Sequence, residues 1–380
     1  MMSETDMRWM SIIPLVVASC AAQPIGPESR TIWRVPGTGF GMPAVDAAAA
    51  YFMSATHDIT AIDKTSGSVR WTAKTGASGP ATSGFNLVVA QDVVVMPDAA
   101  LYAFSRSTGE LRWRFAPPTP PPGVGLLDSD GSTIYAGSIG GTVYAVDAAT
   151  GAQRWAVSLG GTDALALRPT FVNGVVYVGI KRLTSPANSG SIVALDAATG
   201  TIRWQREIAA TDVGMGSGVL GRPVLFGDLV VFSIQDGSIR ALDVATGAQR
   251  WLAPRLMDLP PATGGSPSND DRPLGLIGTT LVAGSTTGFL VGLDVRTGAQ
   301  LWQKTDKRGS AVFPIATDAA HAYVTYFGGQ LAKVRASDGV TLWLAGDNGT
   351  RPGDFAMTPA IEATRLYVAG PNGYFALRTN

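Results

Sequence analysis

The 380-residue sequence predicts an all-β fold, an eight-bladed β-propeller. It is rich in turn-forming residues, with 46 Gly and 24 Pro, and only 15% of its residues are charged, against about 25% in an average soluble protein. A tryptophan-containing unit recurs with a mean spacing of about 44 residues, which is typical of propellers. Each end of the chain carries part of one further unit.

The composition also excludes several classes of protein. The net charge is zero, with 29 basic and 29 acidic residues, so the chain lacks the broad basic character of a nucleic-acid-binding protein. An apolar content of 46% disfavours disorder, and the abundance of Gly and Pro disfavours helical bundles. The single cysteine excludes a disulfide framework and a zinc site made of several thiolates.

The beginning of the chain predicts a bacterial lipoprotein signal. Residues 9–18 form an apolar stretch too short to span a bilayer, and Cys20 closes the small-residue run at its end. In such signals the cysteine is acylated and becomes the mature N-terminus. The alternative is a buried structural cysteine. Two acidic residues precede Met7, which favours Met7 as the true start because leaders of this kind begin with positive charge.

This leader sets the expected domain organisation and location. We expect a signal peptide at 1–20, a short tether at 21–30 and one propeller at 31–380. Ala21 directly after the cysteine favours the outer membrane, so the sequence predicts a lipid-anchored protein on its periplasmic face.

Seven segments share the pattern Ala-x-Asp-x-x-Thr-Gly-x-x-x-Trp, of which residues 145–155 are a full match. In all seven a glycine precedes the tryptophan by four positions: Gly67 and Trp71, Gly109 and Trp113, Gly151 and Trp155, Gly200 and Trp204, Gly247 and Trp251, Gly298 and Trp302, Gly339 and Trp343. The Asp and Gly predict a tight turn between two strands, and the Trp is expected to wedge between adjacent blades. These aspartates are therefore predicted to be turn residues and not ligands.

The two chain ends predict how the ring closes. Residues 361–377 contain two strands, but the chain stops before a Gly-x-x-x-Trp segment. Residues 31–35, with Trp33, offer the missing outer strand, and pairing the two would remove the exposed edges of an open sheet. The predicted blades are 42–75, 79–116, 122–158, 166–208, 216–253, 268–304, 311–345, and 356–380 together with 31–37.

The repeated unit resembles that of quinoprotein-type propellers, named for dehydrogenases that bind pyrroloquinoline quinone. With a lipoprotein-like leader and eight blades in a short chain, residues 31–380 resemble the BamB family of outer-membrane protein assembly factors. The resemblance implies a non-catalytic scaffold without metal or cofactor. It also implies two kinds of partner, the BamA-like pore-forming subunit of the β-barrel assembly machinery and nascent β-barrel proteins.

The resemblance also implies a docking segment. The family docks on the pore-forming subunit partly through a Leu-x-Leu-Arg segment that enters its fourth blade, and Leu165, Leu167 and Arg168 match it here. An apolar pair with an arginine suits an interface hot spot. The alternative is that both leucines begin the inner strand of the blade, with Arg168 on the rim. The family's Asp-x-Asp pair entering the next blade is missing, because residues 218–223 read Gly-Val-Leu-Gly-Arg-Pro.

Two other functions stay open, an envelope propeller with another partner and a relative of the quinone-dependent dehydrogenases. The second would need a calcium site, and often a vicinal disulfide that one cysteine cannot form. No residue set predicts such chemistry. Residues 128–131 and 269–272 suit a hairpin turn and a solvated loop, and His57 and His321 lie in separate hairpins. Three insertions complete the candidate partner surface: 117–122, 181–189 and 254–273.

Overall fold

The computed structural model describes residues 24–25, 30–76, 86–117, 124–161, 164–166, 168–182, 189–208, 218–219, 221–235, 237–253, 273–284, 289–305, 315–326, 329–346, 355 and 358–380. All regular elements in these residues are β-strands. This part of the chain contains no helix long and apolar enough to cross a membrane. The predicted signal peptide with Cys20, Leu167, residues 269–272 and most of the insertions 117–122, 181–189 and 254–273 lie outside the described residues.

The strands form eight sheets, here called blades 1 to 8. Two strands precede blade 1: β1 (Pro24–Ile25) and β2 (Thr31–Val35). Blades 1 to 4 consist of β3 (Gly39–Val45), β4 (Ala49–Ser54), β5 (Asp58–Asp63) and β6 (Val69–Lys74); β7 (Val88–Ala90), β8 (Val93–Pro97), β9 (Leu101–Ser105) and β10 (Leu111–Phe115); β11 (Val124–Ser129), β12 (Thr133–Ser138), β13 (Thr142–Asp147) and β14 (Gln153–Ser158); β15 (Ala164–Leu165), β16 (Thr170–Val172), β17 (Val175–Arg182), β18 (Gly190–Asp196) and β19 (Ile202–Ile208).

The second half of the ring repeats this plan. Blades 5 to 8 consist of β20 (Val224–Phe226), β21 (Leu229–Ser233), β22 (Ile239–Asp243) and β23 (Gln249–Ala253); β24 (Leu274–Ile277), β25 (Thr280–Gly284), β26 (Phe289–Asp294) and β27 (Gln300–Thr305); β28 (Ala316–Thr317), β29 (His321–Tyr326), β30 (Gln330–Arg335) and β31 (Thr341–Ala345); β32 (Ala360–Glu362), β33 (Arg365–Gly370) and β34 (Gly373–Arg378), with β2 as outer strand.

The blades form a closed ring with two distinct faces. Within the described ranges, first strands of neighbouring blades contact one another in seven of the eight pairs, including blade 8 with blade 1, so the first strands surround the centre. Neighbouring strands are antiparallel, so the hairpins between first and second and between third and fourth strands share one face, here called the turn face. The other hairpins and the connections between blades lie on the opposite face, here called the loop face.

The predicted fold and its closure are confirmed. The N-terminal strand β2 pairs antiparallel with the C-terminal strand β34, placing Trp33 opposite Ala376. A short strand also lies within the predicted tether at 21–30. This strand, β1, pairs in parallel with the outer strand of blade 7, Pro24 opposite Leu344 and Ile25 opposite Ala345.

Each of the eight repeat tryptophans joins its blade to the next one. The indole Nε1–H donates to a backbone carbonyl of the following blade over 2.7–3.2 Å, in the pairs Trp33 to Lys64, Trp71 to Arg106, Trp113 to Ala148, Trp155 to Ala197, Trp204 to Val244, Trp251 to Val295, Trp302 to Ala336 and Trp343 to Thr379. We call this contact the Trp clasp. In the first seven, the acceptor lies three residues before the repeat glycine; in the eighth, Thr379 near the C-terminus takes its place.

The repeat glycines are required because the tryptophan ring of the preceding blade lies directly against them. A Cβ at any of the seven would lie 2.6–2.9 Å from that ring. At Gly151 the ring is that of Trp113, and the backbone φ of +74° is a second constraint, because L side chains rarely adopt it. Spacing and conformation together explain why a glycine recurs four positions before each tryptophan.

The repeat aspartates organise the turns, as in blade 3. Asp147 Oδ1 accepts the backbone N–H of Thr150 at 2.9 Å, and the Gly151 N–H donates to the Asp147 carbonyl at 2.9 Å. Arg154 donates to the remaining carboxylate oxygen at 2.8 Å, and this arginine holds the pKa of Asp147 at about 2. The arginine before the repeat tryptophan thus completes the turn.

The apolar core is divided among the seams between blades. The buried residues form eight clusters, each drawn from two neighbouring blades. The cluster between blades 7 and 8, for example, joins Trp343 to Phe375 and Leu377. The Trp clasps lie at the outer ends of these seams, where they limit the opening of the ring.

Candidate docking site

The segment singled out by its sequence lies where the first strand of blade 4 is divided. Strand β15 pairs with the end of β17, Leu165 opposite Lys181, whereas β16 pairs with its start, Thr170 opposite Tyr177. Five steps along the first strand therefore match four steps along β17, so residues 166–169 contain one extra residue, a β-bulge. Such a bulge re-aims side chains, and this one lies at the loop face.

Backbone hydrogen bonds fix the segment from both sides. The Gly140 N–H in a hairpin of blade 3 donates to the Ala164 carbonyl at 2.8 Å, and the Ala166 N–H donates to the Ser138 carbonyl at 3.1 Å. Leu165 forms a bridge with Ile139 in the same hairpin. The segment is thus paired with blade 3 on one side and with blade 4 on the other, which favours a rigid arrangement.

Apolar and basic side chains meet at this position. Ile139 is 41% exposed, Leu165 and Arg168 are half-buried, and Leu167 lies outside the described residues. Residues that lie directly opposite in an antiparallel pair point to the same side of the sheet, so Leu165 and Lys181 are neighbours. Ile139, Leu165, Arg168 and Lys181 are here called the docking patch.

Lys181 is the buried cation of the docking patch. Only 5% of the residue is exposed, and this burial lowers the pKa of its ammonium group. Its stem runs against the entry to blade 5, where a Cβ at Gly218 would lie 2.7 Å from Lys181 Cγ. The Gly218 carbonyl in turn accepts the Gln235 N–H at 2.9 Å. A glycine at 218 is therefore needed for the lysine to occupy this seam.

The segment at 218–223, where the family's Asp-x-Asp pair is missing, has a structural role in this chain. Arg222 donates to Asp128 Oδ2 at 2.9 Å, and the same oxygen accepts the Phe171 N–H at 2.9 Å. Asp128, in the first strand of blade 3, is thus bonded both to blade 4 through Phe171 and to the entry of blade 5 through Arg222. Beside the patch, Arg182 pairs with Glu207 at 2.9 Å.

The other candidates for chemistry are turn residues. Asp130 accepts the backbone N–H groups of Ser132 and Thr133 and the hydroxyl of Tyr135, as expected of a hairpin turn. In the part of the chain that the structure describes, no group of three or more His, Cys, Asp or Glu side chains could hold a metal ion.

The two histidines each bond to an aspartate. His57 Nδ1 lies 2.8 Å from Asp98 Oδ2 in a buried pair between blades 1 and 2, and His321 Nδ1 lies 3.0 Å from Asp318 Oδ1. Near the first pair, the Thr75 hydroxyl donates to Asp98 at 3.2 Å. Both histidines lie in hairpins between successive strands.

Sequence reasoning located Leu165 and Arg168 but missed Ile139 and the burial of Lys181. Ile139 stands in a short Ser-Ile-Gly-Gly hairpin that carries no motif. The sequence marks Lys181 only as part of a long hairpin. Its burial depends on Gly218, 37 positions later. Glycines are so frequent in this chain that a glycine at 218 does not by itself indicate a close contact with a distant side chain.

Fold and site together define a class of protein, a propeller of quinoprotein-type repeats with a rigid apolar and basic patch on one face. The family model described as outer membrane protein assembly factor BamB matches residues 24–139, 97–258, 140–312 and 278–379. The matches span nearly all of the described chain, and the protein belongs to this family. No curated protein matches the sequence.

Solved structures share the fold at low sequence identity. BamB from Moraxella catarrhalis is 18% identical, with a TM-score of 0.67 over 91% of this chain and 96% of that one. A europium-containing methanol dehydrogenase is 15% identical, with a TM-score of 0.73 over 93% and 88% of the chains. Sqt1 from Saccharomyces cerevisiae is 12% identical, with a TM-score of 0.72 over 92% and 99%. Proteins this distant share architecture, and the same architecture hosts different functions.

Proposed function

We propose that the protein is a non-catalytic scaffold of outer-membrane β-barrel assembly that binds the pore-forming assembly subunit through the docking patch. The observation that carries this proposal is the family match together with the position of the Leu165–Arg168 segment. Two neighbouring blades hold its backbone by hydrogen bonds, so little conformational entropy is lost when a partner binds.

The mechanism is presentation of a preformed surface. The Trp clasps keep neighbouring blades in register, and the bulge in blade 4 directs apolar and basic side chains to the loop face. Acylation of Cys20 on the periplasmic face of the outer membrane would keep this surface near the assembly pore. Mass spectrometry of the membrane-extracted protein tests the anchor, because an acylated Cys20 must be its first residue.

The experiment is affinity purification of the C-terminally tagged protein from solubilised native envelopes. We expect the pore-forming subunit to co-purify with the unaltered chain and to be lost with Arg168→Glu. Arg112→Glu is the matched control, because Arg112 is exposed on the outer strand of blade 2, away from the docking patch. Absence of the subunit from a purification of abundant, folded protein would leave an envelope propeller with a different partner.

A second candidate function is a quinone-dependent oxidoreductase, favoured by the similarity to the methanol dehydrogenase. That chemistry needs a metal-bound quinone, and the described residues contain no group of three or more His, Cys, Asp or Glu side chains that could hold a metal ion. The candidate predicts that added pyrroloquinoline quinone and calcium give a bound chromophore with visible absorbance. A chain that stays colourless after desalting would remove this candidate.

A further inference from the structure

The stem of Lys181 is buried against the entry to blade 5. Its ammonium group makes no hydrogen bond or ion pair with any other residue that the structure describes, although only 5% of the lysine is exposed. The next residue, Arg182, shows the contrasting case, because it pairs with Glu207 at 2.9 Å. Lys181 Nζ is not one of the fully buried unpaired side-chain atoms, so the ammonium group reaches solvent at the end of its buried stem.

The surroundings hold the lysine in place. The close approach of Gly218 leaves room for the lysine stem and for no larger side chain at 218. Leu165 lies directly opposite on the same side of the sheet, and Ile139 continues the apolar surface with 41% exposure. A cation set beside an apolar surface suits a segment that brings one carboxylate and neighbouring apolar side chains.

We propose that Lys181 binds an Asp or Glu side chain of the pore-forming subunit, carried on a segment whose apolar residues cover Ile139 and Leu165. This inference rests on the proposed function and deepens it, because it assigns an acidic, apolar segment to the partner. In the free protein the ammonium group is accessible to water, and the partner carboxylate replaces that water when the segment covers the patch.

The proposal predicts a loss of affinity for the partner without a loss of stability of the free chain. Lys181→Met keeps the length of the side chain and removes its charge. Loss of one partner of a buried charge pair weakens binding by about 2 kcal/mol or more, which is about 30-fold or more in Kd. Because the ammonium group has no ion-pair partner among the described residues, the substitution removes no stabilising pair from the free chain, and the thermal midpoint of the unbound variant should stay equal or rise.

The experiment measures the affinity of the purified chain for the detergent-solubilised pore-forming subunit, with the thermal midpoint of each variant measured alongside. Lys74→Met is the control, because the side chain of Lys74 is 80% exposed and its loss should change neither quantity. Weaker binding of Lys181→Met at an unchanged or higher midpoint supports the proposal.

Three outcomes overturn it. Unchanged affinity of Lys181→Met would show that the lysine does not contact the subunit, while leaving the proposed function intact. Weaker binding together with a lower midpoint would mark the lysine as a purely structural residue. Failure of the unaltered chain to bind the subunit would contradict the proposed function, and the assignment of Lys181 would fall with it.

Discussion

The turn face and the loop face of the ring are built from the same strands but differ in regularity. On the turn face, one local arrangement of Gly and Trp recurs around the ring, and Thr379, next to the C-terminus, supplies the carbonyl that the eighth clasp needs. On the loop face, blade 4 has a divided first strand and a buried lysine. The comparison indicates that ring closure requires the same contact at every seam. The loop face is not under this requirement, so its loops can differ between blades and can carry the proposed binding surface.

The largest expected effect comes from breaking one Trp clasp. Gly151→Ala places a Cβ 2.8 Å from the Trp113 ring at a φ of +74°, so both a clash and backbone strain oppose folding. We expect a loss of about 3 kcal/mol or more in the free energy of unfolding, from overpacking and left-handed backbone strain together. Denaturant unfolding followed by circular dichroism measures it.

A matched control separates the clash from the strain. Gly131 has a φ of +91° in a hairpin on the same face, but a Cβ at this position would meet nothing within 4 Å among the described residues. Gly131→Ala should therefore cost only the strain, about 1–2 kcal/mol. Equal losses for the two variants would show that the tryptophan contact contributes nothing to the requirement for glycine.

The next effect tests whether the C-terminus replaces a repeat turn. Trp343→Phe removes the indole N–H that donates to Thr379 at 3.2 Å, and Trp113→Phe removes the equivalent bond to Ala148 at 2.9 Å. Trp113→Phe should lose about 1–3 kcal/mol, because the buried Ala148 carbonyl loses its indole donor. Trp343→Phe should lose a smaller amount, because the Thr379 carbonyl still accepts a hydrogen bond from Lys333 Nζ at 2.8 Å. If Trp343→Phe leaves the free energy of unfolding unchanged while Trp113→Phe lowers it, the eighth clasp is not equivalent to the others.

A smaller effect concerns acid stability of the turns. Asp147 has a folded-state pKa of about 2, below the ordinary value of 3.8, chiefly because it accepts a hydrogen bond from Arg154. A depressed carboxyl pKa contributes stability above the ordinary value and loses it as the pH falls towards the folded value. The contribution of Asp147 should therefore disappear between about pH 4 and pH 2.

The acid stability can be measured through its arginine partner. Arg154→Gln should raise the pKa of Asp147 towards 3.8, as followed by the carboxyl chemical shift in an NMR titration. It should also narrow the difference in thermal midpoint between about pH 5 and about pH 2.5 relative to the unaltered chain. An Asp147 pKa that does not move in this variant would contradict the role given to Arg154.

The sequence predicts the turn face far better than the loop face, for a physical reason. Each clasp depends on a tryptophan, a glycine and a turn whose chemistry is local, so the spacing of Gly67 and Trp71 recurs in every complete unit. The bulge in blade 4 and the pairing of β1 with blade 7 depend on contacts between segments far apart in sequence. Nothing in the local pattern around Lys181 signals that Gly218 will lie against it.

The most direct test of the account compares two arginines of blade 4 on opposite faces. Arg168 belongs to the docking patch, and Arg203 pairs with Asp196 on the turn face at 2.7 Å. The measurement is the affinity of Arg168→Gln and Arg203→Gln for the solubilised pore-forming subunit, after circular dichroism has shown both variants to be folded. The account predicts that Arg168→Gln weakens binding about tenfold or more while Arg203→Gln binds like the unaltered chain. Equal affinities for the two variants, or a loss confined to Arg203→Gln, would contradict the assignment of binding to the loop face.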